Sequence, residues 1–139
     1  MIDATQTKDV AAERPAIPTV GVVDDDQSIR DSISSLVRSA GYNAAVYESA
    51  EAFLYLDGIP QTDCLVLDMR MPGLSGLQLQ KKLSEMQCLI PVIFVTAHSG
   101  DEVRATALGQ GAVAFLSKPF HDEALLDAIE LATHPAGTQ

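Results

Sequence analysis

Residues 19–41 read TVGVVDDDQSIRDSISSLVRSAG and hold one complete strand-to-helix unit. Thr19–Val23 (TVGVV) is short, apolar and β-branched, the pattern of a strand covered on both faces. It stops at the run Asp24-Asp25-Asp26. Beyond that run, Ile29, Ile33, Leu36, Val37 and Ala40 recur at 4, 7, 8 and 11 residues, one face of an α-helix. Asp26 stands where an N-cap begins such a helix, and Gly41 where a left-handed cap closes it.

The same unit repeats along the chain. A weaker strand, Asn43–Tyr47, leads to Ser49, an N-cap for a short helix through Leu56 that Gly58 and Pro60 should end. Cys64–Leu67 (CLVL) is a buried strand that stops at Asp68, and MRMPGLS at 69–75 must be a loop. Leu79, Leu83 and Met86 mark a third helix. Pro91 precedes the strand Val92–Thr96, and Asp101 is expected to cap a helix reaching Gln110, with Gly111 at its end. Val113–Ser117 reads as a fifth strand, broken by Pro119. Asp122 is expected to cap a last helix with Leu125, Ile129 and Ala132 facing inward. Strands alternating with helices predict an α/β fold, a doubly wound parallel sheet of the flavodoxin-like (βα)5 kind. The predicted strand order is 2-1-3-4-5, which places function beyond the carboxyl ends of the strands.

Composition narrows the function classes. The 139 residues suit one domain, expected over 18–133 between tails at 1–17 and 134–139. Against 9 Lys and Arg stand 19 Asp and Glu, a net charge of −10 that repels phosphate backbones. No direct nucleic-acid binding by this chain is therefore expected; gene control would need another domain or partner. Cys64 and Cys88 lack both metal-site spacing and the number for a disulfide framework. No run approaches the roughly 20 apolar residues of a membrane helix. The first 16 residues mix charges and lack the apolar block of a signal peptide, so the expected location is cytoplasmic, away from membranes.

The polar residues at the strand ends form a constellation. Strand 1 ends in Asp24 and Asp25, strand 3 in Asp68, strand 4 in Thr96, and strand 5 in Ser117-Lys118. Taken singly, Asp68 opens a turn and Lys118 is a surface lysine. Together they fall on one edge of the sheet. Three crowded carboxylates repel, so a bound cation is the natural remedy, and an all-oxygen set favours Mg²⁺ or Mn²⁺ over zinc. Lys118 adds a positive charge and Thr96 a hydroxyl donor. Such a site suits a phosphoryl group attached to a carboxylate.

Four motifs carry a family resemblance: VVDDD at 22–26, LVLDMRMPGLSG at 65–76, VIFVTAH at 92–98 and FLSKPF at 115–120. In this order the chain resembles a bacterial two-component response-regulator receiver domain over about residues 18–133. The DMRMPGLSG wording is most similar to nitrogen-fixation and nitrate-type regulators, which usually carry a helix-turn-helix output domain. The resemblance implies that Asp68 is the phosphoacceptor. It also implies that Asp24 and Asp25 position Mg²⁺, with Asp25 the direct ligand, and that the backbone carbonyl of Arg70 is a further ligand. Thr96 then matches the switch hydroxyl, Lys118 the family lysine and Phe115 the switch aromatic, unless Phe115 is simply a core aromatic of strand 5. Ala97 matches the small residue that leaves the phosphoryl group room. Arg70 and His98 fall where side chains tune phosphoryl lifetime in similar receivers, or are ordinary loop residues. His98 has no second ligand at metal-binding spacing.

The resemblance further implies a histidine kinase or phosphotransfer protein as donor, and a switching surface of helix 4, strand 5 and helix 5. That surface would serve an output domain, a partner protein or a phosphorylation-dependent homodimer. Phe115 is expected to be exposed until phosphorylation turns it inward. The Lys118–Pro119 bond is expected to be cis, so that the lysine turns back over the sheet edge. Such a domain is a switch catalysing its own phosphorylation and dephosphorylation, not an enzyme acting on a separate substrate. The alternative is an aspartate-nucleophile phosphatase of the haloacid-dehalogenase type, which would want its D-x-D motif after strand 1 and a cap domain. A flavin module would want a phosphate loop where three aspartates stand.

Overall fold

Alternate residues of the strands face opposite sides of one sheet, and each side finds its own helices. Val20, Val22, Cys64, Val66, Ile93 and Val95 pack with Ile33, Val37, Leu125, Ala128, Ile129 and Ala132. Val23, Leu65, Leu67, Val92 and Phe94 pack on the other side with Ala50, Phe53, Leu79, Leu83 and Ala107. A strand buried on both faces needs the continuous apolar runs that the sequence supplies. The structure, a computed structural model, describes residues 17–97 and 100–134. Its strands are β1 (Thr19–Val23), β2 (Asn43–Tyr47), β3 (Cys64–Leu67), β4 (Val92–Thr96) and β5 (Ala114–Ser117). Its helices are α1 (Gln27–Ser39), α2 (Ala50–Tyr55), α3 (Gly76–Glu85), α4 (Asp101–Gly109) and α5 (Asp122–Thr133), with one further turn at Gly58–Gln61.

All strand pairs are parallel, in the order β2-β1-β3-β4-β5 that the sequence predicts. Register then fixes the site. Val23 lies opposite Leu67, and Thr96 opposite Ser117, so the residues that follow emerge side by side. The backbone ladder runs one step past the strands to hold them. Asp24 N–H donates to Tyr47 O at 3.2 Å, Asp68 N–H to Val23 O at 3.0 Å, and Lys118 N–H to Thr96 O at 2.8 Å.

Several local expectations hold. Asp26 caps α1, its Oδ1 accepting from Ser28 N at 2.9 Å and Ile29 N at 3.4 Å. Ser49 caps α2, Gly41 takes φ +97°, and the Lys118–Pro119 bond is cis. Ser75 and Gln78 form a reciprocal capping box at the start of α3.

Others are corrected. The helix does end at Leu56, ahead of Gly58 and Pro60, but these two then form a further turn that the sequence did not suggest. A Cβ on Gly58 would strike the Phe53 ring, so glycine lets the turn close against it, and Pro60 lies in a first turn where its missing N–H costs nothing. Asp101 and Asp122 do not cap their helices. The caps are Gly100 and His121, and the acids lie in the first turns, where they face the positive end of the helix dipole. β5 begins at Ala114, although Val113 N–H already bonds Val92 O at 2.8 Å. Met86 closes the third helix as its exposed C-cap.

Cys64 and Cys88 are free, and burial pushes the Cys64 thiol up to about 12. Among the described residues no helix is long and apolar enough to cross a membrane. The expected tails lie almost wholly outside the described residues.

Candidate functional site

Three carboxylates converge where β1 and β3 end. One oxygen from each of Asp24, Asp25 and Asp68 lies within 4.8 Å of the others. Asp24 and Asp68 are buried, and Asp25 opens to solvent. Asp24 is held from every side. Its N–H is in the ladder, its Oδ1 accepts from Asp26 N at 2.9 Å, and its Oδ2 accepts from Lys118 Nζ at 3.0 Å. Its carbonyl accepts from Arg30 Nη1 at 2.6 Å. With its own oxygens so engaged, Asp24 leaves Asp25 and Asp68 as the freer donors toward a cation.

Asp68 has a different environment. Lys118 Nζ stands 3.9 Å from Asp68 Oδ1, further than from Asp24. The hydroxyl of Thr96, itself fully buried, and the Met69 N–H face the Asp68 carboxylate and favour its charged form. Burial, and then the charge of Asp24, nevertheless hold the Asp68 carboxyl above its ordinary value; Lys118, Thr96 and Met69 offset only part of this. Ionising this buried group is thus costly unless further positive charge arrives. The donor set is all oxygen, with no His or Cys in the cluster, which fits a hard divalent cation and not zinc.

The loop after β3 keeps Asp68 at the surface of the core. Met69 and Met71 are buried and pin it from below. Gly76 N–H donates to Met69 O at 2.9 Å, and a Cβ on Gly76 would land on the Asp68 carbonyl. Leu74 N–H donates to Glu51 Oε2 at 2.7 Å, which ties the loop to α2. Gly73 has φ +80° and sits against the same Glu51 carboxylate, so neither its conformation nor its surroundings admit a side chain.

Of the residues that sequence reasoning singles out, the structure brings Asp24, Asp25, Asp68, Thr96 and Lys118 together. Arg70 lies in the adjoining loop with its side chain exposed. His98 lies outside the described residues. Phe115 is 4% exposed, against the expectation of an exposed ring, and its centroid is 6.1 Å from that of Phe94. Its space is supplied by the core beside β4. Arg30, Glu51 and Gly76 went unread. Arg30 falls one helical turn past the Asp26 cap, the only signal that it faces the strand end.

A family model for the response regulator receiver domain matches residues 20–130. Nodulation protein W of Bradyrhizobium diazoefficiens is 46% identical over 114 residues, 82% of this chain and 50% of that protein. Response regulator protein TmoT of Ectopseudomonas mendocina is 43% identical over 118 residues, 85% of this chain and 54% of that protein. The chain thus spans about half the length of these curated relatives. Among solved structures, FixJ-N superposes with a TM-score of 0.78 at 35% identity, covering 87% of this chain and 97% of that one. Response regulator StyR gives 0.78 at 47% identity, covering 85% of this chain and 60% of that one. The acidic cluster, the lysine that reaches it and the 2-1-3-4-5 sheet therefore have one common source: the chain belongs to the response regulator receiver domain family.

Proposed function

We propose that Asp68 accepts a phosphoryl group from a histidine kinase or phosphotransfer protein and so turns the domain, residues 18–133, into its signalling state. The observation that carries this reading is the buried Asp68 carboxylate, flanked by two further aspartates and facing Lys118 at 3.9 Å. An Asp68 oxygen forms the new bond to phosphorus as the donor's phosphorus–nitrogen bond breaks. Lys118 faces the charge on the transferring oxygens, and Thr96 offers one of them its hydroxyl. Asp24, Asp25, Asp68 and the Arg70 backbone carbonyl would hold Mg²⁺ or Mn²⁺, which supplies positive charge against the phosphoryl oxygens. Arg70 and His98 tune how long the acyl phosphate survives.

The output belongs to the same reading. Thr96 and Phe115 report the phosphoryl group to the face built from α4, β5 and α5. That face serves an output domain, a partner protein or a second copy of the chain, in the cytoplasm where the kinase delivers phosphate. Nothing in the comparisons supports the phosphatase alternative, and the candidate nucleophile follows β3 rather than β1. The test is incubation with Mg²⁺ and acetyl phosphate, read by intact mass. One base-labile phosphoryl group should appear, and Asp68→Asn should abolish it. Equal labelling of the variant at the same rate would refute the assignment.

A further inference from the structure

Phe115 is turned inward, and one side chain grips it from outside. The Arg104 guanidinium carbon lies 5.8 Å from the centre of the Phe115 ring. Arg104 Nη1 also donates to the Phe115 carbonyl oxygen at 3.3 Å. Ring and backbone of one residue are therefore held by one cation. On the inner side the ring meets Phe94. Arg104 belongs to α4, whose only buried residue is Ala107, so this helix has little core packing of its own to fix it against β5. A tie from Arg104 matters more there than it would on a well-buried helix.

We infer that Arg104 is a latch, a positioning residue that holds Phe115 inward and keeps α4 against β5. The inference rests on the switch reading above. Its consequence is a population shift: the Arg104 contacts favour the inward state over the outward one. A phosphoryl group then needs less of its differential affinity to complete the change. A cation over an aromatic ring at an exposed site contributes about 1 kcal/mol, which is about a fivefold change in the inward-to-outward ratio.

Fluorophenylalanine labelling tests this in the whole chain. The signals arise from Phe53, Phe94, Phe115 and Phe120, and Phe115→Leu identifies the one that matters. Arg104 is exposed, so its substitution should leave the amide fingerprint of the fold unchanged. In Arg104→Ala, a solvent-exposed Phe115 signal should grow about fivefold relative to the inward one. Beryllofluoride with Mg²⁺ should return it inward, with an apparent affinity weakened in proportion to the lost inward fraction. Arg104→Met keeps the aliphatic stem without charge or donors and should behave like Arg104→Ala. A Phe115 signal unchanged in Arg104→Ala, or restored in Arg104→Met, overturns the latch. Acetyl phosphate labelling of the same samples separates the two readings. Failure to label Asp68 in the unsubstituted chain defeats the phosphoacceptor proposal and leaves the Phe115 result standing.

Discussion

Lys118 lies 94 residues from Asp24 in sequence, yet its Nζ donates to Asp24 Oδ2 at 3.0 Å and stands back 3.9 Å from Asp68 Oδ1. The lysine is thus anchored on the carboxylate that is not the proposed nucleophile and free to lean toward the one that is. Lys118→Ala should slow phosphorylation by acetyl phosphate about 100–1000-fold, in the range for loss of one charge-stabilising donor. Mg²⁺ binding should be retained or tightened, because a nearby positive charge has gone. Calorimetric titration with Mg²⁺ and intact-mass time courses check both halves. Weakened metal binding at an unchanged labelling rate would reverse the assigned role.

Asp25 makes the complementary case. It is the exposed member of the cluster, its side chain open to solvent. Asp25→Ala should therefore leave stability nearly unchanged while weakening Mg²⁺ binding at least about tenfold, since a hard cation loses an anionic oxygen. Thermal unfolding without metal and Mg²⁺ calorimetry are the measurements. A variant that binds Mg²⁺ like the parent would remove Asp25 from the metal site.

Much of this architecture is legible in the sequence because doubly buried strands leave no ambiguity of face. TVGVV, CLVL and VIFVT are continuous apolar runs, and the polar residue that ends each must emerge at one sheet edge. Asp24, Asp68 and Thr96 are readable for that reason. What escaped depends on three-dimensional neighbours. Gly58 and Pro60 look like helix breakers until the Phe53 ring is placed beneath them. Asp101 and Asp122 carry cap chemistry, but the backbone turns one residue earlier. Arg30 and Arg104 both bond backbone carbonyls with long side chains, and no periodicity encodes which way an arginine reaches. The inward ring of Phe115 is a rotamer choice made by Phe94 and Arg104 together.

Gly76 links the loop to the nucleophile through space alone. Its Cβ would land on the Asp68 carbonyl and crowd the Met69 backbone, neither of which can move without shifting the proposed phosphoacceptor. Gly76→Ala should destabilise the protein by about 1–3 kcal/mol, as overpacking does, although alanine favours a helix interior. Urea denaturation measures this, and labelling of the folded fraction should also be slower. An increase in stability would show that the loop yields, and that Asp68 is not held in the proposed way.

Asp68 stands among like charges, and the sign of its contribution to stability follows from that. Its folded-state carboxyl lies above the ordinary value because of burial and the charge of Asp24. A raised carboxyl means that the ionised group penalises the folded state. The penalty is complete above the folded pKa and fades as pH falls through it. It is gone below the ordinary carboxylate range, where both states are protonated. Asn is nearly isosteric, so Asp68→Asn removes the charge while keeping the shape of the group that faces Thr96 and the Met69 N–H. At pH 7 without divalent cations the variant should melt higher than the parent. The gap should narrow as pH falls into the carboxylate range. It should also narrow on adding Mg²⁺, because the parent keeps the anionic ligand and gains more from binding. Thermal scans across pH, with and without Mg²⁺, decide the matter. A variant less stable than the parent at pH 7 in the absence of metal would mean that Lys118 already compensates the cluster, and that the cation is not needed to relieve it.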